Sequence, residues 1–210
     1  MIIGIPKEIK NNEYRVGLTP SLVSGLCKQG HTVIVQREAG SQIGFSNAAY
    51  QEAGAQLADN ANDIFARAQM IVKVKEPQAQ ECALLREDQI LFTYLHLAPD
   101  PEQTKALMDS GSICIAYETV TSPQGTLPLL APMSEVAGRM AIQAAATHLE
   151  KSKGGSGVLM GGIPGVSPAK AVILGAGVVG RNALQIALGM GAHVSIIDRD
   201  LERLRQIDSI

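Results

Sequence analysis

The chain has 210 residues, which leaves one large domain or two small ones open and allows a sizeable buried core. Apolar residues make up 46% and charged ones 18%, which excludes a disordered or collagen-like chain, while 21 glycines and only seven aromatics lean towards an α/β protein. Eighteen basic against twenty acidic residues give a formal charge of -2 with no long basic run, so no nucleic-acid or anionic-membrane partner is expected and the ligand should be small.

The start, MIIGIPKEIK, sets its apolar run before its lysines, the reverse of a signal peptide, and no apolar stretch approaches the roughly 18 to 20 residues that span a bilayer. Cys27, Cys82 and Cys114 are odd in number, widely spaced and without a CxxC pair, and read as thiols of a reducing cytoplasm. In chain order, strands are expected at 2–5, 32–36, 70–74, 89–93 and 112–116, each short and rich in Ile, Val, Leu or Thr. Helices are expected between them: 20–29 with Thr19 as N-cap, 47–53 closed by Gly54, 61–68, and 101–109 capped by Asp100. Such alternation implies a mainly parallel sheet.

From Thr121 to Pro132 three prolines interrupt the pattern, and a domain hinge is placed there. The domains expected are a substrate domain at 1–130 and the start of a Rossmann dinucleotide-binding domain at 131–210. Ser134 reads as the N-cap of a long helix to about Ser152. A glycine-rich loop, 154–165, follows without a Walker-type GxxxxGK[ST].

The segment from Ala169 to Gly180 is a buried strand running into Gly175-Ala176-Gly177-Val178-Val179-Gly180, a GxGxxG fingerprint that opens a helix to about Met190. Gly175 suits the tight turn, Gly177 lets backbone N–H groups approach a pyrophosphate, and Gly180 lets helix and strand sit close. The helix N-terminus adds partial positive charge. A second strand, 193–197, ends at Asp198, which follows Gly175 by 23 residues. An acid there can accept from ribose hydroxyls and repels a 2′-phosphate, which favours NAD over NADP, although Arg199 and Arg203 stand close by. The run 201–205 reads as a solvated helix face, with Arg203 within reach of an adenosine phosphate or ribose.

Ligands of open α/β sheets bind beyond the carboxyl ends of the strands, and there the sequence is rich in chemistry. Arg15 lies after the first strand, Lys75 and Glu76 after the third, Tyr94 and His96 after the fourth, and Glu118 after the fifth. An Arg fork and a Lys point charge suit a carboxylate beside a carbonyl, hence an α-keto or α-amino acid. His96 can exchange protons near neutral pH. Each also has an ordinary reading: Arg15 a solvated loop cation, Lys75 an exposed strand-end lysine, His96 a hydrogen-bonded loop histidine. Glu13, Glu76 and Glu118 are either supporting partners or surface charges.

Five ordered motifs, 4–8 with 13–16, 72–77, 94–98, 133–138 and 161–166 leading into the fingerprint, resemble the amino-terminal part of the alanine dehydrogenase and transhydrogenase family. The resemblance covers all 210 residues. It implies reversible oxidative deamination of L-alanine to pyruvate and ammonia with NAD, Arg15 and Lys75 matching substrate-binding positions and His96 the catalytic acid/base. Ser134, Asp198 and Arg203 match cofactor-contacting positions, beside the turn Gly175, Gly177, Val178 and Gly180. It also implies a homohexamer, and a chain truncated within its Rossmann domain and inactive by itself. The competing readings are the NAD(H)-binding subunit of a proton-translocating transhydrogenase, which generally lacks the Tyr94-Leu95-His96-Leu97-Ala98 pattern, and a noncatalytic binding or assembly fragment.

Overall fold

The computed structural model describes residues 1–208 and divides into two compact units, Met1–Val120 and Thr121–Ile210. In the first unit β1 (Ile2–Ile5), α1 (Pro20–Lys28), β2 (Thr32–Gln36), α2 (Asn47–Glu52), β3 (Gln56–Ala58), α3 (Ala61–Arg67), β4 (Met70–Val72), α4 (Ala79–Cys82), β5 (Ile90–Thr93), α5 (Pro101–Asp109) and β6 (Ile113–Ala116) follow one another. The six strands form one parallel sheet in the order β3-β2-β1-β4-β5-β6.

Both faces of this sheet are covered over its central strands, as a parallel sheet requires, while Ile113 and Ile115 of the edge strand β6 stay exposed. Alternation along β2 shows how: Val33 and Val35 pack with Val23 of α1 and Tyr50 of α2, whereas Ile34 turns to Ile64 and Phe65 of α3 and Leu91 of β5. The helices start where short polar side chains take up their free amides. Ser46 accepts from the Ala49 N–H, Asn60 from Asp63 and Asp100 from Gln103. Thr19 occupies the N-cap of α1 without such a bond, its hydroxyl pairing instead with Ser21 at 3.1 Å.

Strand order fixes where a site can form. From β1 the chain moves outward to β2 and β3, then returns to lay β4 on the other side of β1 and moves outward again. The loops after β1 and β4 therefore diverge, leaving the crevice of a topological switch point between them. The strand expected at 70–74 ends at Val72; backbone bonds to β5 and the residue after it continue through the Lys73 N–H and the Val74 carbonyl, while the Val74 N–H is taken by the Glu8 carboxylate at 2.6 Å. Two elements were not expected. β3 is three residues with no apolar run, and α4 is a single turn in which the Glu81 carboxylate accepts the Gln78 N–H at 2.9 Å.

The second unit holds α6 (Ala131–His148), β7 (Lys170–Leu174), α7 (Val178–Gly189), β8 (His193–Ile197) and α8 (Leu201–Ile207). β7 and β8 pair in parallel along their whole length. α6 begins earlier than Ser134 and ends before Ser152: Leu130 is its N-cap, and Ser134 lies within the first turn, its N–H bonded to the Leu130 carbonyl at 3.1 Å. Pro132 fits that turn because its missing N–H would have had no helical partner. α6 and α7 approach closely at Gly138, where a Cβ would fall 2.2 Å from the Val179 carbonyl oxygen. Ile142, Met160, Ala169, Ala183, Ala187 and Ala192 form the core beneath. Among the described residues no helix is long and apolar enough to cross a membrane.

Candidate active site

In the first unit the charged residues after β1, β4, β5 and β6 meet at the switch point. Arg15 is gripped along one edge by Glu13, whose Oε1 accepts the Nε–H at 2.8 Å and whose Oε2 lies 2.6 Å from an Nη. That bond raises the pKa of Arg15 and holds the Glu13 carboxyl below its ordinary value. Lys75, partly buried, has its pKa lowered by that burial and then by Lys10 and Arg15. These three cations therefore share one electrostatic neighbourhood. An anionic ligand would relieve their mutual repulsion.

Glu76 follows Lys75 and is buried. Its Oε2 lies 3.2 Å from His96 Nδ1 and 3.5 Å from Lys75 Nζ, and its Oε1 pairs with Lys10. His96 has a left-handed backbone, φ 48°, which few non-glycine residues adopt. Glu118, on a short helical turn after β6, holds that bend by accepting the amide N–H groups of His96 at 2.7 Å and Leu95 at 3.1 Å. The Tyr94 ring stacks on the imidazole, centroids 5.9 Å apart. Partial burial, then Lys75 and Lys10, hold the His96 pKa below 6.5, against a smaller opposing effect of Glu118. The ring is therefore mostly neutral at pH 7.

Partial burial pushes the Glu118 carboxyl up, but the N–H groups of His96 and Leu95, with its own, outweigh this and leave its pKa below 4.5. The stabilisation from a lowered carboxyl is complete above the unfolded-state value and is lost as pH falls through the folded one. Glu118→Gln should therefore lower the thermal unfolding midpoint at pH 7 and change it much less at pH 3. Thermal melts at the two pH values check this; equal deficits would contradict it.

Beneath this cluster lies a charge group that residue types alone did not reveal. Lys73 is fully buried and bonds Glu8 Oε2 at 3.0 Å and Glu81 Oε1 at 2.7 Å, both also buried. Glu8 Oε1 in turn accepts the Val74 N–H, and the Tyr117 hydroxyl donates to the Lys73 carbonyl at 3.0 Å. Glu8 thus ties the loop after β1 to the strand end carrying Lys75. The available signal was Lys73 itself, an ammonium inside the apolar run Ile71-Val72-Lys73-Val74 of a strand covered on both sides.

In the second unit Ser134, Gly175, Gly177, Val178, Gly180, Asp198 and Arg203 line one cleft of about 640 Å³. Gly175 has φ 99°, and at Gly180 a Cβ would fall 1.8 Å from the Gly175 carbonyl oxygen, so both positions need glycine. A Cβ at Gly177, by contrast, would meet open space, a cradle at the mouth of α7 where the first amides of the helix face outward. Asp198 accepts the Ala176 N–H at 2.6 Å and the Asp200 N–H at 2.8 Å, bonds that hold its pKa below 3.8 and leave carboxylate lone pairs for a further donor. Arg203 lies 3.9 Å from Asp198 and 3.3 Å from Asp200. Among the described residues no group of His, Cys, Asp and Glu is arranged to hold a metal ion.

The family model described as "Alanine dehydrogenase/PNT, N-terminal domain" matches residues 4–137, and its C-terminal counterpart matches 141–210. The chain belongs to the alanine dehydrogenase/PNT family. Within that family it is 56% identical over 208 residues to an alanine dehydrogenase of Halomonas elongata, covering 99% of this chain and 56% of that protein. It is 55% identical over 210 residues to one of Bacillus subtilis, covering all of this chain and 55% of that protein. The chain thus spans little more than half the length of the curated relatives it matches. Among solved structures, an L-alanine dehydrogenase superposes with a TM-score of 0.93 at 53% identity, covering 100% of this chain and 58% of the other. A transhydrogenase from Sinorhizobium meliloti is a weaker match, with a TM-score of 0.81 at 29% identity and 62% of its length covered.

Proposed function

We propose that the chain carries the substrate-binding and cofactor-binding groups of an NAD-dependent alanine dehydrogenase, interconverting L-alanine with pyruvate and ammonia. The observation that supports this most is the joining of Arg15, Lys75 and His96 at one switch point. A transhydrogenase that only binds nucleotide has no use for an anion clamp beside a proton-exchanging imidazole. We assign residues 1–130 to the substrate and 131–210 to the dinucleotide. On the family resemblance we further assign a homohexamer, and a cytoplasmic location that accords with three free cysteines.

In this reading Arg15 binds the substrate carboxylate and Lys75 polarises the carbonyl oxygen of pyruvate, or stabilises the same oxygen when water adds to the imino acid. His96 takes a proton from the water that attacks the iminium carbon left by hydride loss and passes it to the nitrogen that departs as ammonia, and both transfers run backwards in the reverse direction. Gly175, Gly177, Val178 and Gly180 would hold the dinucleotide pyrophosphate against the N-terminus of α7. Ser134, Asp198 and Arg203 would contact its nicotinamide and adenosine halves, the Asp198 carboxylate suiting a free ribose 2′-hydroxyl. NAD, when bound, accepts the hydride that leaves the substrate α-carbon.

The test is selective loss of substrate binding. In the protein at its relatives' full length, Arg15→Ala and Lys75→Ala should each raise the KM for pyruvate at least tenfold, through loss of a charge-assisted bond worth roughly 1.5 to 3 kcal/mol, and leave the KM for NADH near its starting value. Equal losses for both ligands would contradict the assignment.

A further inference from the structure

Three carboxylates border the site, and the structure gives each a different partner. Glu13 grips Arg15, Glu118 holds backbone amides, and Glu76 alone touches the imidazole of His96. We propose that Glu76 is a positioning residue for proton transfer, fixing His96 in the tautomer with hydrogen on Nδ1 and so leaving Nε2 as the nitrogen that exchanges a proton with the substrate. This rests on the reading of His96 as the proton carrier.

An ionised carboxylate can only accept, so the ring nitrogen 3.2 Å from Glu76 Oε2 must bear the hydrogen of that contact. The other nitrogen then keeps its lone pair. Three neighbours orient the half-exposed ring. Its backbone is bent to φ 48° and tied to Glu118, its face lies against Tyr94, and its Nδ1 edge meets a buried carboxylate.

The same Glu76 oxygen is 3.5 Å from Lys75 Nζ, so one negative charge serves both the ammonium that would bind substrate and the imidazole that would move its proton. The groups facing His96 are Lys10 after β1, Lys75 and Glu76 after β4, Tyr94 after β5 and Glu118 after β6. Lys10 and Lys75 oppose protonation of the ring. Glu118 favours it, and Glu76 sets a carboxylate acceptor 3.2 Å from Nδ1, where a positive ring would gain most from it. Removing its charge while keeping an acceptor should therefore leave the tautomer unchanged and make the ring harder to protonate.

Nitrogen-15 NMR of the 210-residue chain, at a pH where His96 is neutral, reads the tautomer without any need for activity. The expected signature is a protonated Nδ1 in the unaltered chain and in Glu76→Gln, and a mixture in Glu76→Leu. In the protein at its relatives' full length, Glu76→Gln should move the acid limb of kcat/KM for alanine oxidation to lower pH by roughly one unit. A hydrogen on Nε2 in the unaltered chain would overturn the proposal. So would an acid limb unmoved in Glu76→Gln. If His96→Ala leaves that limb in place, the proton-carrier reading fails, and a tautomer held on Nδ1 would then mark Glu76 as a structural partner alone.

Discussion

In the protein at its relatives' full length, and on the proposed function, replacing His96 by Ala should lower turnover in alanine oxidation by about 100-fold to 10,000-fold, the usual contribution of a positioned acid or base. The loss follows from placement. His96 stands at the carboxyl end of β5, on the sheet edge where Arg15 and Lys75 share one electrostatic neighbourhood, and its pKa below 6.5 keeps the ring able to accept a proton at pH 7. NADH binding should be unaffected, because the cleft around the glycine fingerprint is lined entirely by residues from 134 onwards. Steady-state rates across pH, with NADH affinity measured separately, check both parts. A variant that kept near-normal turnover at every pH would remove His96 from the mechanism.

Lys73→Ala should destabilise the first unit by about 3 to 5 kcal/mol, the cost of leaving buried charge without its partner. Glu8 and Glu81 would face each other with no ammonium between them. Burial already raises the Glu8 carboxyl pKa despite Lys73, and loss of the lysine raises it further. A carboxyl whose folded pKa is raised contributes stability that is complete below its unfolded value and lost as pH rises through the folded value. The deficit of the variant should therefore be smaller at pH 5 than at pH 8. All four tyrosines, at 14, 50, 94 and 117, lie in the first unit and there is no tryptophan, so tyrosine signals during urea unfolding report on that unit alone. A deficit below 1 kcal/mol, or one that does not vary with pH, would show that the cluster is not held as a buried ion group.

Hydrophobic pattern alone places β1, β2 and β8 at their observed bounds, because short runs rich in Ile and Val set between turn signals admit little else. The fingerprint was legible for a stronger reason. Gly175 needs a positive φ, Gly180 needs the absence of a Cβ, and such demands leave glycine as the one residue that fits. Short elements escaped. β3 pairs three residues at an outer edge, and α4 depends on a side-chain bond from Glu81 that no periodicity announces. The start of α6 is not legible in sequence, because Ser134 looks like a cap in isolation while the first turn accommodates Pro132.

The candidate site divides in the same way. Arg15, Lys75 and His96 could be picked out because strand ends are where open sheets bind ligands, and their residue types suit an α-keto acid. Their supports could not be. Whether Glu8 is buried against Lys73, or Glu76 turned to His96 and not to solvent, depends on contacts between residues 65 and 20 positions apart in the chain. Sequence left Glu13, Glu76 and Glu118 equivalent, and only three-dimensional packing gives them separate tasks.

The most direct measurement is NADH oxidation by the protein at its relatives' full length, with pyruvate and ammonia supplied singly and together. Oxidation is expected only when both are present, with a strong preference for NADH over NADPH set by Asp198, and it should vanish to background in the Lys75→Ala, His96→Ala double variant. NADH binding with no oxidation in response to pyruvate and ammonia together would contradict the assignment and place the chain with nucleotide-binding transhydrogenases.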